Sequence, residues 1–149
     1  MDSAQNIKGE HLFLLMLKAW NAVDNYDNQS IKALGFSSLS DFIVLEALLH
    51  KGPLPVSAIG QKAMLTSGSI TTAVDRAEKN GCVLRERDAK DGRIVNVALT
   101  DKGRSLITRA FKAHATNLRR LFDVLTEEEK NDAARLFKKI GKAAEAMAL

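Results

Sequence analysis

The chain has 149 residues, 46% of them hydrophobic, and a single cysteine, which fits one domain that buries a core without disulfide staples. A formal charge of +4 and a pI near 9.3 permit a nucleic-acid partner without demanding one. No apolar run approaches the ~20 residues that span a bilayer, and MDSAQNIKGE at the N-terminus lacks the charged and apolar regions of a signal peptide; with no disulfide framework possible, a cytoplasmic location is expected.

Residues 10–29 carry Leu12, Phe13, Leu15, Met16, Ala19, Trp20 and Val23, a broad apolar stripe at helical spacing, and this helix is expected to end near Asn25 and Asn28. A second helix, Asp41 to Leu49, has Ser38 or Ser40 as its cap and is stopped by His50-Lys51-Gly52-Pro53. After Pro55, Val56 to Lys62 form a short helix with Ile59 and Ala63 as apolar contacts, and Met64-Leu65 supply the turn into the next. Two short helices so tightly joined make a helix-turn-helix.

In the helix that follows, Thr66 or Ser67 is the N-cap and Asn80-Gly81 the stop. Ile70, Val74 and Ala77 share one face, and Gly68, Ser69, Thr72, Asp75 and Arg76 the opposite one, with Thr71 at its margin. Five hydroxyl residues between Thr66 and Thr72 weaken a helix, so stability alone does not explain them. Short hydroxyls donate to phosphates and approach base edges closely, and a helix N-terminus favours a phosphate.

Cys82, Val83 and Leu84, then Ile94, Val95, Val97 and Leu99, read as two strands around the polar string Arg85 to Arg93. A hairpin with such a tip projects its charges into solvent or onto an anion. Lys90 is expected outermost, with Arg93 at the returning base to enter a minor groove and Asp91 to fix its orientation. Thr100 caps a long helix through Leu106, Ala110, Ala113, Leu118, Leu121 and Leu125, and Thr126-Glu127-Glu128-Glu129 is a capping box for the last helix, with Leu136, Phe137, Ile140 and Met147 on one face. The fold class is thus mostly α with a small β wing, a winged helix-turn-helix over 36–99 flanked by helices at 1–35 and 100–149. One small domain cannot bury apolar stripes at both chain ends, so a symmetric homodimer is expected to cover them.

The proposed reading head is almost neutral: residues 66–99 hold six basic and five acidic side chains, whereas 100–149 hold eleven and seven. Nucleic-acid binding therefore rests on placement. The candidate DNA-contacting residues are Thr66, Ser67, Ser69, Thr71, Thr72, Asp75, Arg76, Lys79, Arg85, Arg87, Lys90, Asp91 and Arg93, with Arg104 or Arg109 as further phosphate contacts.

Asp91-Gly92-Arg93 followed by Leu99-Thr100-Asp101-Lys102-Gly103 resembles the D-x-R...L-T-x-x-G signature of the MarR family of bacterial transcription regulators, and Val74 to Gly81 resembles that family's V-D-R-L-E-K-x-G helix end. Two positions depart from the pattern. Gly92 stands where many members have a first Arg, which weakens phosphate contact at the wing, and Ala77 replaces a usual Leu. The resemblance implies N- and C-terminal helices interleaved across a two-fold axis, an imperfectly palindromic double-stranded DNA operator, and repression relieved by a small aromatic or phenolic compound. The effector crevice it implies, between dimerisation helices and winged-helix body, nominates Phe13, Met16, Trp20, Phe42, Leu45 and Phe111 as lining. It also implies redox-sensing cysteines in the first helix of some members, and this chain has none there; Cys82, at the start of an apolar strand, is expected to be a buried inert thiol. His11, His50 and His114 show no metal-ligand spacing, and no glycine-rich phosphate loop or nucleophile elbow occurs; neither a cofactor nor an enzyme activity is expected. The rival reading is a winged-helix dimer that docks another protein as an interaction scaffold.

Overall fold

The computed structural model describes residues 7–63 and 67–147, except the side chains of Lys62, Ala63 and Ser67. The Met64-Leu65 turn and the Thr66 cap lie outside the described residues, as does the Ser67 side chain. Among those described, the chain runs α1 (Gly9–Ala33), α2 (Leu39–Lys51), β1 (Leu54–Pro55), α3 (Val56–Ala63), α4 (Ser67–Lys79), β2 (Val83–Arg87), β3 (Val95–Leu99), α5 (Asp101–Phe122) and α6 (Glu127–Met147). By its internal contacts it divides into two units, Met1–His114 and Ala115–Leu149.

Local chemistry explains most boundaries. Ser38 caps α2 by accepting from the Asp41 amide at 3.3 Å. Thr100 caps α5 through the Gly103 amide at 3.1 Å. At the start of α6 Thr126 and Glu129 bond each other's amides reciprocally, at 3.2 and 2.8 Å. Two helices end elsewhere than expected. α1 continues past Asn25 and Asn28, because Asn28 donates to the Asp24 carbonyl at 2.8 Å and Gln29 to the Asn25 side chain at 3.2 Å; these amides bond along the helix instead of ending it. α5 stops at Phe122 rather than Leu125, whose amide closes a turn onto the Phe122 carbonyl at 3.1 Å.

The three strands form an antiparallel sheet in the order β1-β3-β2. β1 is only two residues long and contains a proline, which suits an edge. In the β2–β3 ladder Val83 pairs with Leu99 and Arg85 with Val97. Side chains alternate faces along a strand, so Val83 and Arg85 share a face, the one on which Val97, opposite Arg85, joins the core.

The core lies entirely within the first unit. Phe42, Val44, Leu45 and Leu48 of α2 meet Ile59 of α3, Ile70, Ala73, Val74 and Ala77 of α4, and Ile107 and Ala110 of α5. Two apolar faces are left uncovered in a single copy. On α1, Leu12, Phe13, Leu14, Leu15, Leu17 and Trp20 are each more than 40% exposed. No described residue of α6 is buried, and its Leu136, Phe137, Ile140 and Met147 are all exposed. No described helix is long and apolar enough to cross a membrane.

Candidate nucleic-acid interface

The C-terminal end of α4 is fixed by its backbone. Gly81 adopts a φ of +69° that a side chain would oppose, its amide donates to the Glu78 carbonyl at 2.9 Å, and the Cys82 amide reaches back to Ala77 at 2.8 Å. The first turn of α5 then docks onto this junction. Thr100 donates through its amide to the Cys82 carbonyl at 3.0 Å and through its hydroxyl to the Gly81 carbonyl at 2.7 Å, while the Lys102 ammonium bonds the Asn80 carbonyl at 2.6 Å. Gly103 faces the Cys82 carbonyl so closely that a Cβ there would lie 1.9 Å from its oxygen. The L-T-x-x-G residues thus weld α5 to the end of α4.

With Ile70, Ala73, Val74 and Ala77 buried, the opposite face of α4 presents Gly68, Ser69, Thr71, Thr72, Asp75 and Lys79, all exposed. Ala77 is itself only 6% exposed, so the small residue in place of the usual leucine is covered. Arg76 departs from the expectation. It lies on the flank, where its guanidinium bonds the Asp41 carboxylate at 2.7 and 3.0 Å and the Ser38 hydroxyl at 3.2 Å. The partner carboxylate is almost fully buried, so the helix-capping end of α2 holds Arg76 back from the hydroxyl face. Arg85 departs too: its guanidinium bonds Asp75 at 2.6 Å and also Glu78, tying the wing strand to α4. The Asp75 hydrogen bond, then the Glu78 charge, hold the Arg85 proton more firmly than usual against a partial desolvation.

The wing tip uses its acids to close its own turn. Asp88 accepts the amides of Lys90 and Asp91 at 2.8 and 3.0 Å through one oxygen, and the Asn96 side chain at 2.9 Å through the other. These bonds, the Asp91 amide first, pull its carboxyl below the usual carboxylate range. Asp91 accepts the backbone amide of Arg93 at 3.0 Å, so it holds the turn, in contrast to the expectation that it orients the Arg93 guanidinium. Arg87 bonds the Gly92 carbonyl at 2.9 Å. With the tip carboxylates engaged on backbone, the exposed Lys90 and Arg93 side chains face outward. Asp88 and Asn96 escaped the sequence reading, although an aspartate two residues before Lys90 is the spacing of a side-chain-closed turn.

The six residues nominated as effector lining are not gathered into one pocket in a single copy. Phe42 and Leu45 are core residues, 1% and 2% exposed, and Phe42 packs against Phe36 and His114 with ring centroids 5.3 and 4.8 Å apart. Phe111 is half-buried, edge-on to His50 at 4.8 Å. Phe13, Met16 and Trp20 stand exposed on α1. A cleft beside Leu45, Arg76 and Cys82 measures about 60 Å³, far below the ~300–1,000 Å³ of ordinary ligand pockets. Cys82 is 4% exposed, with its thiol near the Asn80 carbonyl at 3.9 Å. Arg104 and Arg109 are exposed on α5, and Arg109 borders an open groove of about 280 Å³ with Leu34, Leu106, Ala110 and Ala113.

The MarR family model matches residues 38–95, the span from the α2 cap to the returning strand of the wing. The HTH-type transcriptional regulator MhqR of Bacillus subtilis is 34% identical over 134 residues, covering 90% of this chain and 92% of the relative. The HTH-type transcriptional repressor MdtR of the same organism is 30% identical, covering 71% and 68%. Among solved structures, the organohalide-sensing RdhR transcriptional regulator in its 2,4-dichlorophenol-bound form superimposes with a TM-score of 0.76 at 18% identity, over 96% of this chain and 85% of that one.

Proposed function

The chain belongs to the MarR family of transcriptional regulators, and from that premise we propose that it is a homodimeric repressor which grips an imperfectly palindromic operator and lets go when a small aromatic or phenolic compound binds. One observation carries the DNA half of this reading: α4 exposes a hydroxyl-lined face beside a wing whose tip carboxylates, Asp88 and Asp91, are bonded within the wing to backbone amides and Asn96, leaving Lys90 and Arg93 outward. Ser69, Thr71, Thr72 and Lys79 face the major groove, while Arg93 reaches the adjoining minor groove or its phosphates. Thr66 and Ser67 remain the proposed phosphate contacts at the helix N-terminus.

The exposed apolar residues of α1 and of α6 support the dimer, in which a second copy related by a two-fold axis buries them. Two α4 helices then stand about one DNA turn apart, ~34 Å, and select a palindrome. The effector site is built from Phe13, Met16 and Trp20 with Phe111 and is completed only in the dimer; Phe42 and Leu45 support it from the core. The similar fold of a regulator crystallised with 2,4-dichlorophenol supports the ligand class, and the name of the relative MdtR supports repression. Release requires that the ligand favour a spacing of the two heads that does not fit DNA.

A gel shift on the promoter DNA beside its own gene tests the reading. Thr72→Ala and Arg93→Ala weaken binding while the melting temperature holds, and Arg93→Ala lowers the salt slope by about 0.9 per protomer. Undiminished affinity in both variants favours the protein-docking scaffold instead.

A further inference from the structure

Resting on the DNA-binding reading above, we infer that Arg85 is a positioning residue that acts through Asp75 and Glu78: it offsets half of their negative charge on the DNA-facing helix and sets the wing against that helix, without touching DNA itself. The observation is a three-member ion cluster between two elements. Asp75 and Glu78, one helical turn apart on α4, are 60% and 40% exposed, whereas the Arg85 side chain that joins them is 29% exposed. An arginine placed to meet phosphate has the reverse profile, with its guanidinium outward and its acids absent. Here the guanidinium is forked between two carboxylates, a geometry that fixes direction as well as charge.

The strand pattern dictates this placement. Arg85 shares the inward face of β2 with Val83 and pairs across the sheet with the core residue Val97, so its stem is anchored at the sheet's packed side, and its head bonds Asp75 and Glu78 of α4. The electrostatic consequence is large for a nearly neutral head. Without Arg85, α4 would present two bare carboxylates beside its hydroxyl row, and like charges near phosphates cost affinity even where no contact is lost. The wing would also lose its side-chain tie to α4, and Lys90 and Arg93 at its tip would no longer hold one position.

A double-mutant cycle separates this role from direct phosphate contact. Proteins carrying Arg85→Ala, the pair Asp75→Asn and Glu78→Gln, and all three changes are compared with the wild type in operator affinity and in hydrogen exchange of the amides from Glu86 to Arg93 without DNA. Arg85→Ala alone is expected to weaken binding about ten-fold, and by less than about two-fold once the acids are already neutral, because its partners are gone. Amide exchange in the wing accelerates in Arg85→Ala and no further in the triple variant. Arg85→Lys, which keeps the charge but loses the fork, recovers part of the affinity. The inference is overturned if Arg85→Ala costs as much in the neutral background, with a drop of about 0.9 per protomer in salt slope, or if wing exchange is unchanged. Should the wild type bind no DNA, the functional reading falls, while the exchange arm still decides whether Arg85 sets the wing.

Discussion

Replacing Gly103 with alanine is the sharpest probe of how the helices are joined. The added methyl would sit 1.9 Å from the Cys82 carbonyl oxygen and 2.8 Å from its carbon, where side-chain carbons essentially never come within 3.0 Å. The obstacle is backbone, itself held by the amide of Thr100, so the first turn of α5 must retreat by more than 1 Å from the end of α4. Overpacking of this kind costs about 1–3 kcal/mol, and stretching the two Thr100 bonds at the junction adds roughly 1 kcal/mol each. Alanine's better helix propensity returns only about 1 kcal/mol, so the clash wins by roughly 2–4 kcal/mol. At 2–4 °C per kcal/mol for a chain near this size, the melting temperature drops by about 4–16 °C. Circular dichroism melts of the two proteins at equal concentration measure it. A Gly103→Ala protein melting at or above the wild type would refute the close approach and with it the weld between α4 and α5.

Asp41→Asn leaves Arg76 without its carboxylate at a nearly buried site and is expected to cost about 1–3 kcal/mol, read as a lower melting temperature; an unchanged melt means the pair is not formed in solution. Asp88 ionises more readily in the folded wing than in an unfolded chain, so its ordering of the tip is fully present above the ordinary aspartate range and is lost as pH falls through its depressed folded value. An NMR titration should show the Asp88 carboxyl and the Lys90 and Asp91 amides moving together below that range, and independent titration would contradict the turn. Trp20, the chain's single tryptophan, is 63% exposed in one copy; its fluorescence is expected to be that of a buried indole in the dimer and to shift red on dilution or in Phe13→Asp. A red emission at every concentration would show that α1 stays uncovered.

Legibility in the sequence followed the range of the interactions. The capping serine and threonines, the Gly81 stop and the two main strands were readable because each is a local chemical preference within about five residues. β1 was not, since two residues containing a proline carry no periodic signal and become a strand only by pairing with β3. The hydroxyl face of α4 was legible from periodicity, but the tasks of its charged neighbours were not. Arg76 and Asp41 stand 35 positions apart, and Arg85 and Asp75 ten, so their pairing is decided by the fold; an arginine bonded to carboxylates and one waiting for phosphate look alike in a string of letters. For the same reason Phe42 and Leu45 read as pocket lining although they are core: helical spacing identifies an apolar face without saying whether a neighbouring helix or a ligand covers it.

Half-site spacing tests the paired reading heads most directly. Once a bound promoter fragment is footprinted, five base pairs, half a helical turn, are inserted between its half-sites, and ten in a second duplex; affinity is then measured at fixed salt. A rigid two-fold pair with α4 helices ~34 Å apart predicts that the five-pair insertion, which turns one half-site to the far side of the duplex, reduces binding to that of random DNA, and that the ten-pair insertion restores the facing without the spacing and recovers little. Equal affinity for all three duplexes would contradict it, because the copies would then be reading DNA independently.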